Sequence, residues 1–190
     1  MRHFKISGAL AVLTVLMMAG ASSASATTLT VGGVKQNGSV AITATLTKGT
    51  SLDLGDSLGQ KITCTGSEIK AKTEGTFTGT SVGGNVSALD FTGCTDSVFV
   101  LSRGSLSVTW TKGSNGTVSL AGTEITIFST AIGVSAICKT GIGTAIGTLT
   151  GSSGASTIDV NAGLSCGILG NVSWTASYTV TTPNALGVGE

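Results

Sequence analysis

The chain has 190 residues, only 10% of them charged, and a formal net charge of +1. Its mean hydropathy is +0.44. This balance argues against a nucleic-acid footprint, which needs clustered Lys and Arg. It leaves Thr, Ser, Asn and Gly to make most of the surface.

The first 26 residues have the layout of a secretory leader. Arg2 and Lys5 give the positive start, residues 6–19 the apolar run, and Ala24-Ser25-Ala26 the small-residue cleavage site. Cleavage after Ala26 is expected. The apolar run is shorter than the roughly 20 residues that cross a bilayer, and no later segment is apolar enough, so the mature chain is not expected to span a membrane. No Cys lies beside the cleavage site to carry a lipid. Residues 27–190 read as a single secreted domain. Removing Arg2 and Lys5 leaves eight basic residues against nine acidic ones, a net charge of −1. A surface so poor in charge leaves self-association open.

Along the mature chain the pattern is that of short strands. Val40, Ile42, Ala44 and Leu46 share one face of residues 40–47, and Leu106, Val108 and Trp110 one face of 105–111. Further strands are expected over 28–34, 62–73, 75–81, 87–92, 98–102, 117–120, 123–129, 134–138, 144–150, 157–160 and 171–181. Turn chemistry separates them at Lys48-Gly49, Gly83-Gly84-Asn85, Ser114-Asn115-Gly116 and Gly151-Ser152-Ser153-Gly154. No window carries a helical stripe. The expected fold is all-β, a two-sheet antiparallel β-sandwich, with a β-barrel as the alternative.

Cys64, Cys94, Cys138 and Cys166 all lie in the mature chain. An even number behind an export signal reads as two disulfides formed in an oxidising compartment. A metal site is the weaker reading, because no Cys-x-x-Cys pair is present and the only histidine, His3, leaves with the leader. Four cysteines allow three pairings. An internal match at an offset of 72 residues lays Gly75-Thr76-Phe77-Thr78-Gly79 on Gly147-Thr148-Leu149-Thr150-Gly151 and Cys94 on Cys166. If each half closes its own loop, the bridges are Cys64–Cys94 and Cys138–Cys166. The alternative is that Gly/Thr-rich sequence aligns with itself without common descent.

Lys61-Ile62-Thr63-Cys64, Val86-Ser87-Ala88-Leu89-Asp90-Phe91-Thr92-Gly93-Cys94 and the strand ending Tyr178-Thr179-Val180 carry a resemblance. They are similar to a family of small secreted actinobacterial proteins, which have a leader, a Phe-x-Gly-Cys box, a second Cys pair and a closing Tyr-Thr-Val strand. A more distant resemblance is to PraB-like secreted proteins, linked to alkane oxidation. The chain departs from the actinobacterial pattern at Val108-Thr109-Trp110, where a Leu-Pro-Trp is usual. The resemblance implies an all-β exported domain and transfers no active site.

Catalytic candidates fall by elimination. Ser-His-Asp and Cys-His systems need an imidazole that the mature chain lacks. Ser67 and Lys70 have only the bare Ser-x-x-Lys spacing, in strand-like sequence. Asp53 and Asp56 are too few for a calcium site and read as turn residues, while Asp90 and Asp96 flank Cys94. No catalytic, metal or cofactor residue is therefore expected. The large rings Phe77, Phe91, Phe99, Trp110, Phe128, Trp174 and Tyr178 are expected mainly in the core. The leading functional expectation is a non-enzymatic secreted or envelope-associated structural or interaction protein, binding an envelope component or itself. Binding of a small hydrophobic ligand or carbohydrate is the second reading, and a histidine-free carboxylate hydrolase the third.

Overall fold

The computed structural model describes residues 26–56, 59–74, 79–130 and 133–190. The expected leader, residues 1–26, lies outside them but for its last residue, as do residues 75–78 of the repeat and Phe77. The described chain is all-β. Its strands are β1 (Thr28–Val31), β2 (Val34–Lys35), β3 (Ala41–Leu46), β4 (Leu52–Gly55), β5 (Lys61–Thr73), β6 (Ser81–Cys94), β7 (Ser97–Ser102) and β8 (Ser105–Lys112). They continue as β9 (Asn115–Ala121), β10 (Glu124–Ser129), β11 (Val134–Lys139), β12 (Thr144–Thr150), β13 (Thr157–Ser165), β14 (Asn171–Thr182) and β15 (Leu186–Gly189), with a 3₁₀ turn at Gly167–Leu169.

The hydrogen-bond ladder runs β3–β5–β6–β8–β9–β12–β13–β14 and returns to β3, antiparallel throughout, which closes an 8-strand barrel. This connectivity is that of the barrel alternative; how flat the ring is in cross-section does not alter it. β3 and β4 act as one wall strand interrupted at 47–51. β3 pairs with residues 68–72 of β5 and 178–182 of β14, whereas β4 pairs with 61–64 and 173–175. Inward positions alternate with outward ones, and the lumen is filled by side chains, as an eight-stranded ring requires. Trp174 and Tyr178 from β14, Leu54, Leu89, Ile146, Leu149 and Leu164 are almost wholly buried there.

One end of the barrel is capped by a small sheet in which β1 pairs with β15 and β2. Leu29, Leu186 and Val188 are its buried side. At the other end three strands leave the ring as a lobe. β7 precedes β8, β10 follows β9, and β11 precedes β12, with breaks at 103–104, 122–123 and 140–143. Gly104 sits at the first break with φ +69°, and a Cβ there would strike the Ala121 carbonyl, so the bend requires glycine. β7 pairs only with β10 among the described residues, β10 pairs with β11, and β11 meets the barrel through one pair, Lys139 with Ser165.

The two disulfides are Cys64–Cys94, with S–S 2.05 Å, and Cys138–Cys166, with S–S 2.00 Å. These are the bridges the repeat selects. Each closes the open end of a long hairpin, β5 with β6 in one case and β11–β12 with β13 in the other. Both lie at the lobe end, where the barrel's own ladder is weakest.

Several expectations are corrected. Gly83-Gly84-Asn85 is not a turn: β6 runs through it, because a Cβ on Gly84 would lie 2.6 Å from the Lys72 carbonyl, and only glycine lets the strands approach so closely. Residues 52–55 are a strand rather than an aspartate-bearing turn, since Asp53 finds outward partners on β5. The β8–β9 hairpin turns at Gly113-Ser114, and Asn115 already belongs to β9.

Candidate interaction surface

The carboxylates singled out from sequence are tied into the framework. Asp53 Oδ2 is 2.9 Å from Lys61 Nζ, and Oδ1 accepts from the Thr63 hydroxyl at 3.0 Å. Burial pushes the Asp53 carboxyl upward, but the hydrogen bonds from Lys61 and Thr63 outweigh it and hold the group below its ordinary value. Asp56 Oδ1 accepts from the Gln60 backbone N–H at 2.8 Å. Asp96 Oδ1 accepts from the Thr130 N–H at 3.2 Å and from the Thr130 hydroxyl. Asp56 and Asp96 both line a cleft between barrel and lobe with Lys61, Ile62, Ile127 and Leu169, and its volume is about 30 Å³. That is room for a water molecule, not for a sugar ring between two carboxylates. Among the described residues no cluster of three or more His, Cys, Asp or Glu could hold a metal ion.

The structure separates Ser67 from Lys70. Ser67 is buried inside the barrel, where its hydroxyl donates to the Asp90 carbonyl at 2.8 Å and lies 3.0 Å from the Tyr178 hydroxyl. With its proton committed to Asp90, Ser67 Oγ accepts from Tyr178. Burial drives the Tyr178 phenol far above its ordinary pKa. The buried Trp174 indole N–H finds no hydrogen-bond acceptor among the described residues. Lys70 is outside, paired with Glu68 at 2.6 Å, which raises its pKa. Ser67 and Lys70 therefore form no dyad. The Ser67–Tyr178 chain is a structural polar strut across the lumen.

The aromatic expectation holds for Trp174 and Tyr178, and Phe91 packs edge-on to Trp174 with centroids 5.9 Å apart. Trp110 is half-buried, its indole N–H donating to Gly113 O at 2.9 Å. The expectation fails for Phe99 and Phe128, which are 61% and 38% exposed. Both stand on the outer face of the lobe with Leu101 at 56% and Ile137 at 48%. The register builds the patch: Thr126 on β10 lies directly between Phe99 on β7 and Ile137 on β11, and Phe128 is one pleat along. Glu124 and Lys139, opposed on β10 and β11, close its edge with an ion pair of 2.7 Å. The inner face of the same sheet, with Ile125, Ile127, Ala136 and Cys138, is buried against the barrel end. The lobe is thus apolar on both faces and covered on one.

Sequence reasoning placed a strand at 98–102 and missed this surface. A signal was present: Val98-Phe99-Val100-Leu101 is a continuous apolar run, which implies a strand apolar on both faces. Which face stays open depends on topology. Solid-faced alternatives are poor. An apolar cavity lined by Ile42, Leu106, Val118, Ile146, Leu149 and Ile158 inside the barrel is about 30 Å³, far below the 300 Å³ or so of ligand sites. An open groove of about 340 Å³ along Gly55, Asp56, Asn161, Asn171 and Ser173 has no aromatic wall.

No protein-family model, curated protein or solved structure matches the chain.

Proposed function

We propose that the chain is an exported, non-enzymatic interaction protein that works outside the cell or at its envelope and docks through the outer face of the lobe. The observation that carries this reading is the exposed Phe99–Leu101–Phe128–Ile137 face on a disulfide-anchored sheet. A contiguous apolar patch of a few hundred Å² is the size of the largest patch on a typical monomer, which is often a functional surface. Export is supported by the leader pattern and by two disulfides, which persist in oxidising surroundings. The resemblance to small secreted actinobacterial proteins agrees with it. The small-ligand and hydrolase readings have less support, since neither the cleft, the lumen cavity nor the open groove described above combines ligand size with aromatic or catalytic lining.

The test is sedimentation of purified, oxidised protein with isolated cell envelopes. Thr126→Lys sets a charge in the middle of the patch without removing a packed side chain. Wild-type protein is expected to pellet with envelopes or to associate with itself, and Thr126→Lys to lose that behaviour while melting at the same temperature. Equal behaviour of the two proteins removes the lobe from the reading.

A further inference from the structure

We infer that the partner of the lobe face is a second copy of this chain, the two lobes packing sheet against sheet across a two-fold axis. The inference rests on the reading of the lobe as the docking surface and names its occupant.

Three observations support a self-match. The first is area. Taking roughly 200 Å² for a fully exposed ring and somewhat less for Leu or Ile, the fractions at Phe99, Leu101, Phe128 and Ile137 add to about 400 Å² of open apolar surface. A standard interface buries about 800 Å² per partner, of which about 57–65% is apolar, or roughly 450–520 Å². The patch therefore supplies most of the apolar core one side of a stable dimer needs, and the polar residues around it, Thr126 and Ser135 among them, supply the rest.

The second is charge. Among the described residues the strands of the outer face carry Glu124 and Lys139, which neutralise each other at 2.7 Å, and the exposed Arg103 follows at the end of β7. A strongly charged partner or an anionic lipid surface would find one cation at the rim and no cluster of like charge. A copy of this sparsely charged face meets little repulsion, and the −1 charge of residues 27–190 sets up almost none at long range.

The third is shape. The face is a three-stranded antiparallel sheet with alternating side chains, and two such faces pack about 10 Å apart as in a sandwich. Its inner face is already buried against the barrel end, and the dimer covers the outer one. A two-fold axis makes the contact isologous and closed, so association stops at two.

The experiment is sedimentation velocity on oxidised protein lacking residues 1–26, from low micromolar to several hundred micromolar, for wild type, Thr126→Lys and Phe99→Thr/Ile137→Thr. Threonine keeps strand propensity while removing apolar area, and near-ultraviolet circular dichroism checks that each variant is folded. Val34→Thr serves as the control, being 66% exposed on β2 at the far end. A reversible monomer–dimer equilibrium in wild type and in the control, weakened at least about tenfold in both lobe variants, supports the inference. A dimer that the lobe variants leave unchanged overturns it. A wild-type monomer at every concentration also overturns it; if that monomer still sediments with envelopes in a Thr126-dependent way, the broader reading survives. If neither association occurs, both fall.

Discussion

The barrel and the lobe are built from the same strands and obey different rules. In the barrel each wall strand has a neighbour on both sides and the ring closes on itself, with one-sided stretches only toward the lobe, in β6 past Asn85 and in β13 past Val160. Its interior is filled by Trp174, Tyr178 and aliphatic side chains from every strand. The lobe continues three of those strands past breaks at 103–104, 122–123 and 140–143, and there the ladder lapses: β7 has one neighbour, and β11 touches the barrel through one pair. Sulfur bridges stand where hydrogen bonds give out. Cys64–Cys94 ties the last residue of β6 before the chain turns into β7, and Cys138–Cys166 ties β11 to the end of β13. The contrast teaches a division of labour in which the closed ring carries stability and the stapled sheet carries an open surface.

The contrast can be broken most directly at its strongest point. Trp174→Ala should cost about 3–5 kcal/mol, the usual penalty for removing a buried large ring, and should lower the urea midpoint of the whole molecule in one transition. A loss under about 1 kcal/mol would show that the lumen is not the seat of stability. The next effect should come from the bridge to the lobe. Replacing Cys138 and Cys166 together by Ala should cost about 2–4 kcal/mol. Hydrogen exchange should then show β7, β10 and β11 losing protection before β5 and β14 do. Uniform loss of protection would mean that lobe and barrel unfold as one unit, and the division would be wrong. Smaller again is Ser67→Ala, which leaves the buried Tyr178 hydroxyl without an acceptor. It should cost about 1–3 kcal/mol, while Tyr178→Phe, which removes the orphan along with the bond, should cost less.

How much of this was legible in the sequence follows the same line. Alternation marked most barrel strands, and the cysteine spacing with the internal match selected the observed bridges. Three things were hidden because tertiary contacts decide them. β4 carries Asp53, a poor strand former that is stabilised by Lys61 and Thr63 on the neighbouring strand. β15 reads Leu-Gly-Val-Gly and looks like loop, yet a Cβ at Gly187 would lie 2.8 Å from the Thr30 hydroxyl, so close docking on β1 demands the glycine. β6 passes through a glycine pair for a similar reason. The candidate site was half legible: Val98-Phe99-Val100-Leu101 announced a strand apolar on both faces, but only the path of β10 and β11 determines that Phe99 and Leu101 look outward.

The smallest predicted effect bears on what holds the barrel wall. Asp53 and Lys61 join β4 to β5 at the lobe end, with Asp53 a quarter exposed and Lys61 more than half. The folded state holds the Asp53 carboxyl below its ordinary value of 3.8, so folding favours the ionised form. The stabilisation is complete above the unfolded-state value, and it fades as pH falls through the folded one, because the unfolded chain binds the proton first. Solvent screening limits it to less than about 0.5 kcal/mol. Asp53→Asn should therefore lower the melting temperature slightly at pH 7 and should converge on wild type once the Asp53 carboxyl is protonated in the folded as well as the unfolded state. A penalty that persists in acid would come from something other than the charge, whereas one above about 2 kcal/mol at pH 7 that vanishes in acid would mean that the wall depends on this pair. A chain with so few charges would then rest on one of them, and the closed ladder with its packed lumen would no longer account for the barrel's stability by themselves.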